Sequence, residues 1–308
     1  MMQPLRIRNN RQVEWRPGGT FFPVITGAPQ HRLDTLVRAH LPRYAPRLQG
    51  VLASAYYARR WGDAERSRWR SPARDELALL IDSGGFVGAA DATVRVEETT
   101  AAGGAPIAVL RVTRPEGEEA IHPDEVLALQ GELADVGFPL DCFIAPDMPA
   151  DEAARRAVLT LANARYALQQ RGKRFPHLRL FGVIQAQSPL DAAACVRAHT
   201  ARRDDGGRGF DGLAIGGLVP HARDLDYASG IVTAVRAEAP GLPIHVFGIG
   251  QPESIRRLVA AGATSSDSSA YARDAVRGRS WRWPEASIDD PALGESLMLA
   301  LEHLDALC

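Results

Sequence analysis

The chain has 308 residues, of which 45% are hydrophobic and 24% are charged, and both fractions are close to the averages for globular proteins. The formal net charge of −1 excludes a global electrostatic attraction to nucleic acid, so any such binding has to use a local basic face. The cysteines, Cys142, Cys195 and Cys308, are widely spaced, which excludes a cysteine-rich zinc knuckle and a disulfide scaffold. Since no apolar run reaches signal-peptide or membrane-spanning length, we expect a cytoplasmic protein with no membrane contact.

Short apolar runs alternate with amphipathic segments along most of the chain, and this alternation is typical of repeated βα units. The predicted strands are Phe21–Thr26, Gly50–Ala55, Leu77–Ile81, Pro139–Phe143, Leu178–Ile184, Gly212–Ile215, Ile244–Phe247 and Thr264–Ser266. The predicted helices are His31–His40, Pro123–Val136, Asp151–Arg171, Pro189–Ala201, Ala222–Glu238 and Pro252–Ala261. Eight strands with helices after most of them predict an α/β fold, a closed (β/α)8 TIM barrel, in one domain over residues 1–308.

The segment of about 88–114 interrupts this alternation. Its two alternating pieces, Ala92–Glu97 and Pro106–Val112, flank the turn sequence Ala101-Ala-Gly-Gly. This arrangement predicts a β-hairpin insertion after the third strand. The segment of about 273–308 follows the last strand, and it consists of a basic, aromatic stretch and a terminal helix.

Polar residues and glycines stand at the ends of the predicted strands, where the active site of a TIM barrel forms. They are Asp82, Asp141, Gln185, Gly216, Gly217, Gly248 and Asp267. Asp82 and Asp267, which are 185 residues apart, each end a strand-like run before a loop of glycine and serine. Two such carboxylates can serve as an acid/base and a nucleophile at a sugar or acyl centre. For each of them taken alone, a loop turn or a helix cap is an equally good interpretation.

Two further strand ends carry groups suited to a nucleobase. Asp141 follows a buried run, and an isolated buried carboxylate is costly, so it needs a partner. A guanine-like edge, with its N1–H and exocyclic amine, supplies two donors to one carboxylate, and a salt bridge with an arginine is the alternative. The Gln185 amide both donates and accepts, which suits a base edge. The glycines of Gly216-Gly217 and Gly248 expose backbone N–H groups, although glycines also mark tight βα turns.

A basic and aromatic stretch follows Asp267. It contains Arg273, Arg277, Arg279, Trp281, Arg282 and Trp283. Arginines in such a stretch can hold phosphates while tryptophans stack on bases. A solvated surface loop with packed tryptophans is the alternative.

Six segments, taken in order, resemble the tRNA-guanine transglycosylase superfamily, whose members exchange guanine for a 7-deazaguanine base in nucleic acid. They are Leu79–Phe86 (LLIDSGGF), Ile121–Asp141, Phe181–Gln185 (FGVIQ), Phe210–Leu218 (FDGLAIGGL), Val246–Gly250 and Gly262–Arg273. The resemblance runs from about Leu77 to Arg273 and implies a TIM barrel, a pentosyltransferase activity and no cofactor. It also implies nucleic acid and a 7-deazaguanine base as partners, with a homodimer as an expected assembly.

The resemblance implies roles for the matching residues. Asp267 falls on the nucleophile, which would form a covalent aspartyl-glycosyl intermediate, and Asp82 falls on the acid/base. The residues assigned to base binding are Asp141, Gln185, Gly217, Leu218, Phe86, Ser83 and Gly248. The residues assigned to nucleic-acid binding are Arg273, Arg277 and Arg279. Because the target base has to leave its stack to reach such a pocket, we expect a flipped or single-stranded substrate.

The chain also departs from the family pattern. Family members carry a zinc site of three cysteines and a histidine after the nucleophile, whereas only His303 and Cys308 follow Asp267 here, so we expect no zinc. The family's asparagine-threonine-tyrosine-histidine segment is replaced by Ala53-Ser-Ala-Tyr-Tyr, and a second arginine after the nucleophile is replaced by Val276. The short, zinc-less form is more similar to the divergent branch that modifies DNA, so DNA is slightly favoured over tRNA.

Three other functions stay open at the level of sequence. The same base exchange on a small-molecule sugar phosphate or nucleotide agrees with the near-neutral charge. A non-catalytic partner subunit is disfavoured because both Asp82 and Asp267 are retained. A TIM-barrel aldolase is disfavoured because no lysine ends a predicted strand.

Overall fold

The computed structural model of the chain describes residues 5–6, 12–13, 18–26, 32–44, 48–70, 77–86, 93–115, 117–283 and 288–307. Its strands are β1 (Leu5–Arg6), β2 (Gln12–Val13), β3 (Thr20–Ile25), β4 (Gly50–Ser54), β5 (Ala78–Asp82), β6 (Thr93–Thr100), β7 (Pro106–Arg114), β8 (Gly117–Ile121), β9 (Val136–Gly137), β10 (Arg179–Ile184), β11 (Gly212–Ile215), β12 (Ile244–Val246) and β13 (Ser265–Ser268). Its helices are α1 (Arg32–Tyr44), α2 (Ala55–Ala58), α3 (Asp63–Arg70), α4 (Pro123–Leu133), α5 (Ala150–Arg174), α6 (Pro189–Thr200), α7 (Leu225–Glu238), α8 (Pro252–Ala260), α9 (Ala270–Val276) and α10 (Leu293–Leu307).

Eight parallel strands close into a barrel in the order β3-β4-β5-β9-β10-β11-β12-β13. The last strand returns to the first, with Ser265 opposite Thr20 and Ser268 opposite Pro23. Helices α4 to α8 alternate with the strands that follow them, as in repeated βα units. The predicted (β/α)8 barrel is therefore confirmed, and all the parallel strands end at one rim.

The fourth barrel strand differs from the prediction. The sequence predicts Pro139–Phe143, whereas the structure has the two-residue strand β9, which pairs with β5 and β10. The buried Gln130 side chain of α4 donates to the carbonyl oxygens of Ile81 at 3.0 Å and Phe138 at 2.8 Å. Pro139 has no N–H to continue the ladder. These features end the strand early and leave Asp141 in an irregular segment above it.

The insertion between β5 and α4 is a three-stranded antiparallel sheet in the order β6-β7-β8. The predicted hairpin is present as β6 and β7, and β8 extends it; residues 87–92 lie outside the described residues. The sequence of β8, Gly-Glu-Glu-Ala-Ile, lacks the apolar alternation by which strands are predicted. Asn163 of α5 joins this sheet to the barrel, because its buried side chain bonds both backbone groups of Ala108 and the carbonyl oxygen of Leu140.

Three short helices were not predicted from the sequence: α2, α3 and α9. Helix α2 has only four residues, and α3 buries only Trp69, so neither produces a strong helical period. Helix α9 begins two residues after β13 and packs against α10, and α10 confirms the predicted terminal helix. None of the helices that the structure describes is long and apolar enough to cross a bilayer.

The barrel interior is filled mainly by apolar and aromatic side chains. They are Phe22, Leu52, Ala78, Leu80, Val136, Phe138, Phe181, Val183 and Ala214. At the N-terminal end of the strands, the buried Arg171 guanidinium bonds Asp204 at 3.1 Å and Asp211 at 3.0 Å. Asp211 also accepts from the backbone N–H of Leu180, so this aspartate of the FDGLAIGGL segment is structural and lies at the end opposite the rim.

Candidate active site

A pocket of about 110 Å³ opens at the rim where the strands end. Its lining residues are Asp82, Ser83, Gly85, Phe86, Asp141, Phe143, Gln185, Gly216, Gly217, Val219, Phe247, Gly248 and Asp267. The structure therefore brings together eight of the residues predicted for catalysis or base binding. Pockets for drug-sized ligands measure about 300–1,000 Å³. The smaller volume here suits one flat heterocycle.

Asp267 belongs to β13 and is buried, with 5% of its surface exposed. Its Oδ1 atom faces two donors, the backbone N–H of Gly248 at 3.2 Å and Nε2 of His245 at 3.0 Å. Among the described residues, Oδ2 has no such partner. The two oxygens are therefore distinct, since one is fixed by the barrel and the other is free to face a ligand in the pocket.

His245 was not predicted as a site residue. It lies in the middle of β12, is fully buried, and packs against the rings of Phe22, Phe138 and Phe247 with centroid distances of 5.0 to 6.1 Å. Its Nδ1 lies 2.9 Å from Oγ of Ser265, and its Nε2 contacts Asp267. Because a carboxylate only accepts, Nε2 carries the proton and Nδ1 accepts from the serine hydroxyl. The sequence signal was a histidine between Ile244 and Val246 in an otherwise apolar strand.

Asp82 ends β5 and faces the same pocket, with Oδ1 accepting from the N–H of Gly84 at 2.8 Å. Burial raises the pKa of Asp82 from 3.8 to about 7, and repulsion by Asp267 and Asp141 adds to the rise, while the nearby Ser54 hydroxyl and the N–H of Gly84 oppose it. The side chain keeps some solvent contact through the pocket mouth, so protons can reach it. An acid with a pKa near 7 can both donate and accept a proton at neutral pH.

Asp141 is buried on the far side of the pocket and is held by neutral groups. The Ser83 hydroxyl donates to its Oδ1 at 2.5 Å, and the Gln185 amide donates to its Oδ2 at 2.6 Å. Burial raises the pKa of Asp141, and these two hydrogen bonds oppose the rise. Among the described residues, no arginine or lysine pairs with it, so the alternative of a structural salt bridge is not supported.

Gln185 is oriented by the backbone, because the N–H of Ile144 donates to its Oε1 at 3.2 Å. The neighbouring Gly216 leaves room for this amide, since a Cβ at that position would lie 2.3 Å from Nε2 of Gln185. Gly217 follows with a φ of +77°, in the left-handed region that favours glycine. The carboxylate of Asp141 and the amide of Gln185 thus form one continuous polar wall.

Aromatic side chains form much of the remaining pocket surface. Phe86 is 46% exposed and contacts Phe143 edge to face, with ring centroids 5.1 Å apart. Phe247 lines the pocket beside Gly248 and packs on Phe138 at 4.9 Å. A flat heterocycle would therefore meet aromatic surface as well as the polar wall.

Four predicted residues do not line the pocket. The Leu218 side chain is buried in the apolar core, so only its backbone can reach a ligand. Arg273, Arg277 and Arg279 are exposed on α9 and the turn that follows it, and Arg279 lies 3.5 Å from Asp274. Their nucleic-acid role stays a prediction.

The two tryptophans after α9 differ in their exposure to solvent. The Trp281 ring stacks on His303 with centroids 4.2 Å apart and donates to Asp274 at 2.8 Å, so it is a packed structural residue. Trp283 is 63% exposed and remains open to a ligand.

The residues after Asp267 do not fit a zinc site of the family type. His303 uses both ring nitrogens, since Nδ1 contacts the carbonyl oxygen of Tyr271 at 2.8 Å and Nε2 accepts from the N–H of Trp281 at 3.1 Å. Cys308 lies outside the described residues. Within the described residues, no group of three histidines, cysteines or acids could hold a metal ion.

A larger cavity of about 390 Å³ lies between α5 and α6 and shares Gln185 with the pocket. Half of its lining residues are alanine, and burial raises the pKa of its Cys195 thiol to about 11, which leaves that thiol unreactive. The smaller pocket is therefore the candidate active site.

Comparison with known proteins assigns the chain to a family. A family model described as queuine tRNA-ribosyltransferase matches residues 69–289, which is most of the chain. The chain belongs to the queuine tRNA-ribosyltransferase family. The matched range contains every residue that lines the pocket, and the family assignment confirms the superfamily resemblance of the six segments.

Curated relatives of the family match about half of the chain. The tRNA-guanine(15) transglycosylase of Methanococcus aeolicus is 32% identical over 167 residues, which are 53% of this chain and 25% of the relative. The protein of the same name from Methanocaldococcus jannaschii is 31% identical over 160 residues, with 51% and 24% covered. That from Pyrococcus abyssi is 29% identical, with 51% and 26% covered. The matched part thus spans about a quarter of the length of these relatives.

Proposed function

We propose that this chain is a pentosyltransferase that exchanges guanine for a 7-deazaguanine base in nucleic acid. One observation carries the proposal: the carboxyl groups of Asp82 and Asp267 line one small pocket whose remaining polar wall is Asp141 and Gln185. Family membership and the names of the relatives support a base exchange at guanine.

In the first step, Oδ2 of Asp267 forms a bond to the anomeric carbon while the bond from that carbon to N9 of guanine breaks. The electron pair of the broken bond stays on the base, and protonated Asp82 supplies the proton that neutralises it. The product is a glycosyl ester of Asp267. Asp82 is ionised at the end of this step.

In the second step, the incoming base gives its N9 proton to Asp82. The N9 nitrogen forms the new bond to the anomeric carbon, and the ester bond to Asp267 breaks. Both carboxyl groups then have their starting charges. A pKa of about 7 lets Asp82 take both roles within one cycle.

Asp141 and Gln185 would select the base. The carboxylate accepts from N1–H and the exocyclic amine of a guanine-type edge, and the amide can face the ring carbonyl oxygen. Adenine presents an acceptor instead of a donor at N1, so it would lose the hydrogen bond that guanine donates to the buried carboxylate of Asp141. The phenyl ring of Phe86 would cover the face of the base.

We propose DNA as the acceptor. The chain departs from the family pattern at residues 53–57 and at Val276, which favours DNA, whereas the names of the relatives favour tRNA. The pocket volume admits one base and no duplex, so the target nucleotide has to be flipped or single-stranded. A homodimer stays a prediction.

The test is transfer of radiolabelled guanine into separate samples of DNA, tRNA and mononucleotides. We expect label in DNA. Label in tRNA alone would support the base exchange but contradict DNA as the acceptor. Label in mononucleotides alone would support the small-molecule alternative. No label in any acceptor would contradict the base exchange itself.

His245 is expected to position Asp267 for attack. Replacing His245 with phenylalanine keeps a ring among Phe22, Phe138 and Phe247 but removes the donor to Oδ1. We expect kcat to fall roughly 10- to 100-fold, as for the loss of a hydrogen bond to a charged group, with KM for nucleic acid unchanged. Steady-state kinetics of guanine exchange measure both constants.

The matched variant is His245→Gln, whose amide can donate to the same oxygen. It should recover part of the lost kcat, and Ser265→Ala should lose less than His245→Phe. Equal losses in the Phe and Gln variants, with a raised KM, would contradict a positioning role.

A further inference from the structure

A cluster of arginines surrounds one tyrosine next to the pocket, and none of its residues has a role in the proposed base exchange. The Cζ atoms of Arg60, Arg59 and Arg114 lie 4.2, 4.9 and 5.3 Å from the ring centre of Tyr56. Tyr56 and Arg114 are half-buried, and the Arg60 side chain is 48% exposed. We call these four residues the Tyr56 cluster.

The Tyr56 cluster adjoins the catalytic rim. Ser54, at the end of β4, pairs in register with Asp82, and α2 carries Tyr56 two residues later. A Cβ atom added to Gly84 would lie only 3.1 Å from the backbone nitrogen of Tyr56. Gly84 stands between Ser83 and Gly85, which both line the pocket. A ligand on the cluster would therefore lie beside the pocket mouth.

The inserted sheet contributes to the cluster. Arg114 is the last residue of β7, and Glu119 of β8 bonds both Arg59 and Arg60. The inserted sheet thus adds positive charge near the rim, because Arg114 places a third guanidinium group beside Tyr56.

The cluster has an excess of positive charge. Among the described residues, Glu119 is the carboxylate that pairs with these arginines, and Arg114 has no ion pair and a buried Nε without a hydrogen-bond partner. Three guanidinium groups against one carboxylate attract an anion. Planar guanidinium groups suit the oxygens of a phosphodiester, and the tyrosine ring offers an aromatic face to a base.

We propose that the Tyr56 cluster binds the phosphodiester backbone of the substrate strand next to the nucleotide whose base is exchanged. This inference rests on the proposed function, since it supplies the local basic face that a chain of net charge −1 needs in order to hold nucleic acid. It assigns strand binding to α2 and the inserted sheet, on the side of the pocket that carries Asp82.

The test compares strand binding in two charge-matched double variants, both made in the inactive Asp267→Asn background. The first, Arg60→Gln with Arg114→Gln, removes two cluster charges. The second, Lys173→Gln with Arg197→Gln, removes two exposed charges from the last turns of α5 and α6, at the opposite end of the barrel. Fluorescence anisotropy with a guanine-containing single-stranded oligodeoxynucleotide gives Kd as a function of salt.

We expect the cluster variant to lose about 1.4 from the slope of log Kd against log salt, and to bind the single strand roughly 25-fold more weakly at 0.1 M salt. The control variant should match its parent. Calorimetry with free guanine should give the same Kd for all three proteins, because the base pocket is unchanged.

The outcomes separate the two proposals. If the parent binds the oligonucleotide and the cluster variant keeps its Kd and slope, the Tyr56 cluster does not hold the strand, although the proposed function stands. If the parent binds guanine but no oligonucleotide at low salt, the nucleic-acid function fails and this inference fails with it. A loss of guanine binding in the cluster variant would show damage to the pocket and overturn the assignment.

Discussion

Replacing Asp267 with asparagine is expected to abolish covalent capture of nucleic acid and to lower base exchange by at least about 10⁴-fold. The amide oxygen of asparagine can still accept from His245 and from the N–H of Gly248, so the local structure is retained. The amide nitrogen then replaces Oδ2, and it cannot attack the anomeric carbon. Denaturing electrophoresis of protein incubated with an oligonucleotide measures the covalent species, and guanine transfer measures the exchange.

A charge-matched surface variant serves as the control for this prediction. Asp226→Asn also removes one carboxylate, from a side chain that is 90% exposed and paired with Arg257. It should keep full activity. Binding of free guanine by the Asp267→Asn protein should remain, because Asp141 and Gln185 are untouched. Undiminished exchange by Asp267→Asn would remove the covalent mechanism.

Replacing Asp82 with asparagine is expected to slow exchange by about 10²- to 10⁴-fold, the usual contribution of general acid–base catalysis. In the native protein each cycle uses Asp82 first protonated and then ionised. With a pKa of about 7, the exchange rate should therefore be highest near pH 7 and decline on both sides. The variant should lose this dependence, which a pH series of guanine transfer measures.

The same substitution is expected to stabilise the fold at high pH. The folded pKa of Asp82, about 7, is above its ordinary value of 3.8, so the native state holds this proton more tightly than the unfolded chain does. The stability of the native protein therefore falls as the pH rises from about 4 to 7, because the unfolded chain releases this proton over that range whereas the native state keeps it. Asparagine avoids this loss, so the variant should exceed the native protein in Tm by more at pH 8 than at pH 5.

Loss of activity together with a gain in Tm would separate a catalytic role for Asp82 from a structural one. A variant that loses both activity and Tm at pH 8 would indicate that the Asp82 carboxylate stabilises the rim, and the acid/base assignment would then fall. The acid/base assignment would also fall if the Asp82→Asn variant stayed active and its exchange rate kept the pH dependence of the native protein.

Some of this site was accessible from the sequence because local rules position it. Parallel strands of a barrel end at one rim, so a carboxylate or glycine after each apolar run, such as Asp82 and Asp267, is directed to the same face. The alternation of apolar runs and amphipathic segments gave seven of the eight barrel strands near their observed positions. The fourth was misplaced because its ladder ends early, where the folded chain brings the Gln130 side chain onto the carbonyl oxygens of Ile81 and Phe138.

Other features had no local signal. His245 reads as one polar residue in an apolar strand, and its contact with Asp267 depends on the pairing of β12 with β13. The Tyr56 cluster joins residues in and just after α2 to Arg114 of β7, which is more than fifty positions away. The burial that raises the pKa of Asp82 also comes from the assembled rim, since solvation depends on all surrounding atoms.

By itself the sequence determined the fold class, the family resemblance and the identity of the two central acids, because periodicity and short motifs are properties of neighbouring residues. Only the tertiary structure decided which oxygen of Asp267 is free, which groups hold Asp141, and where excess positive charge adjoins the pocket. Those properties are distances between atoms that are far apart in the chain, and the closing of the barrel sets them.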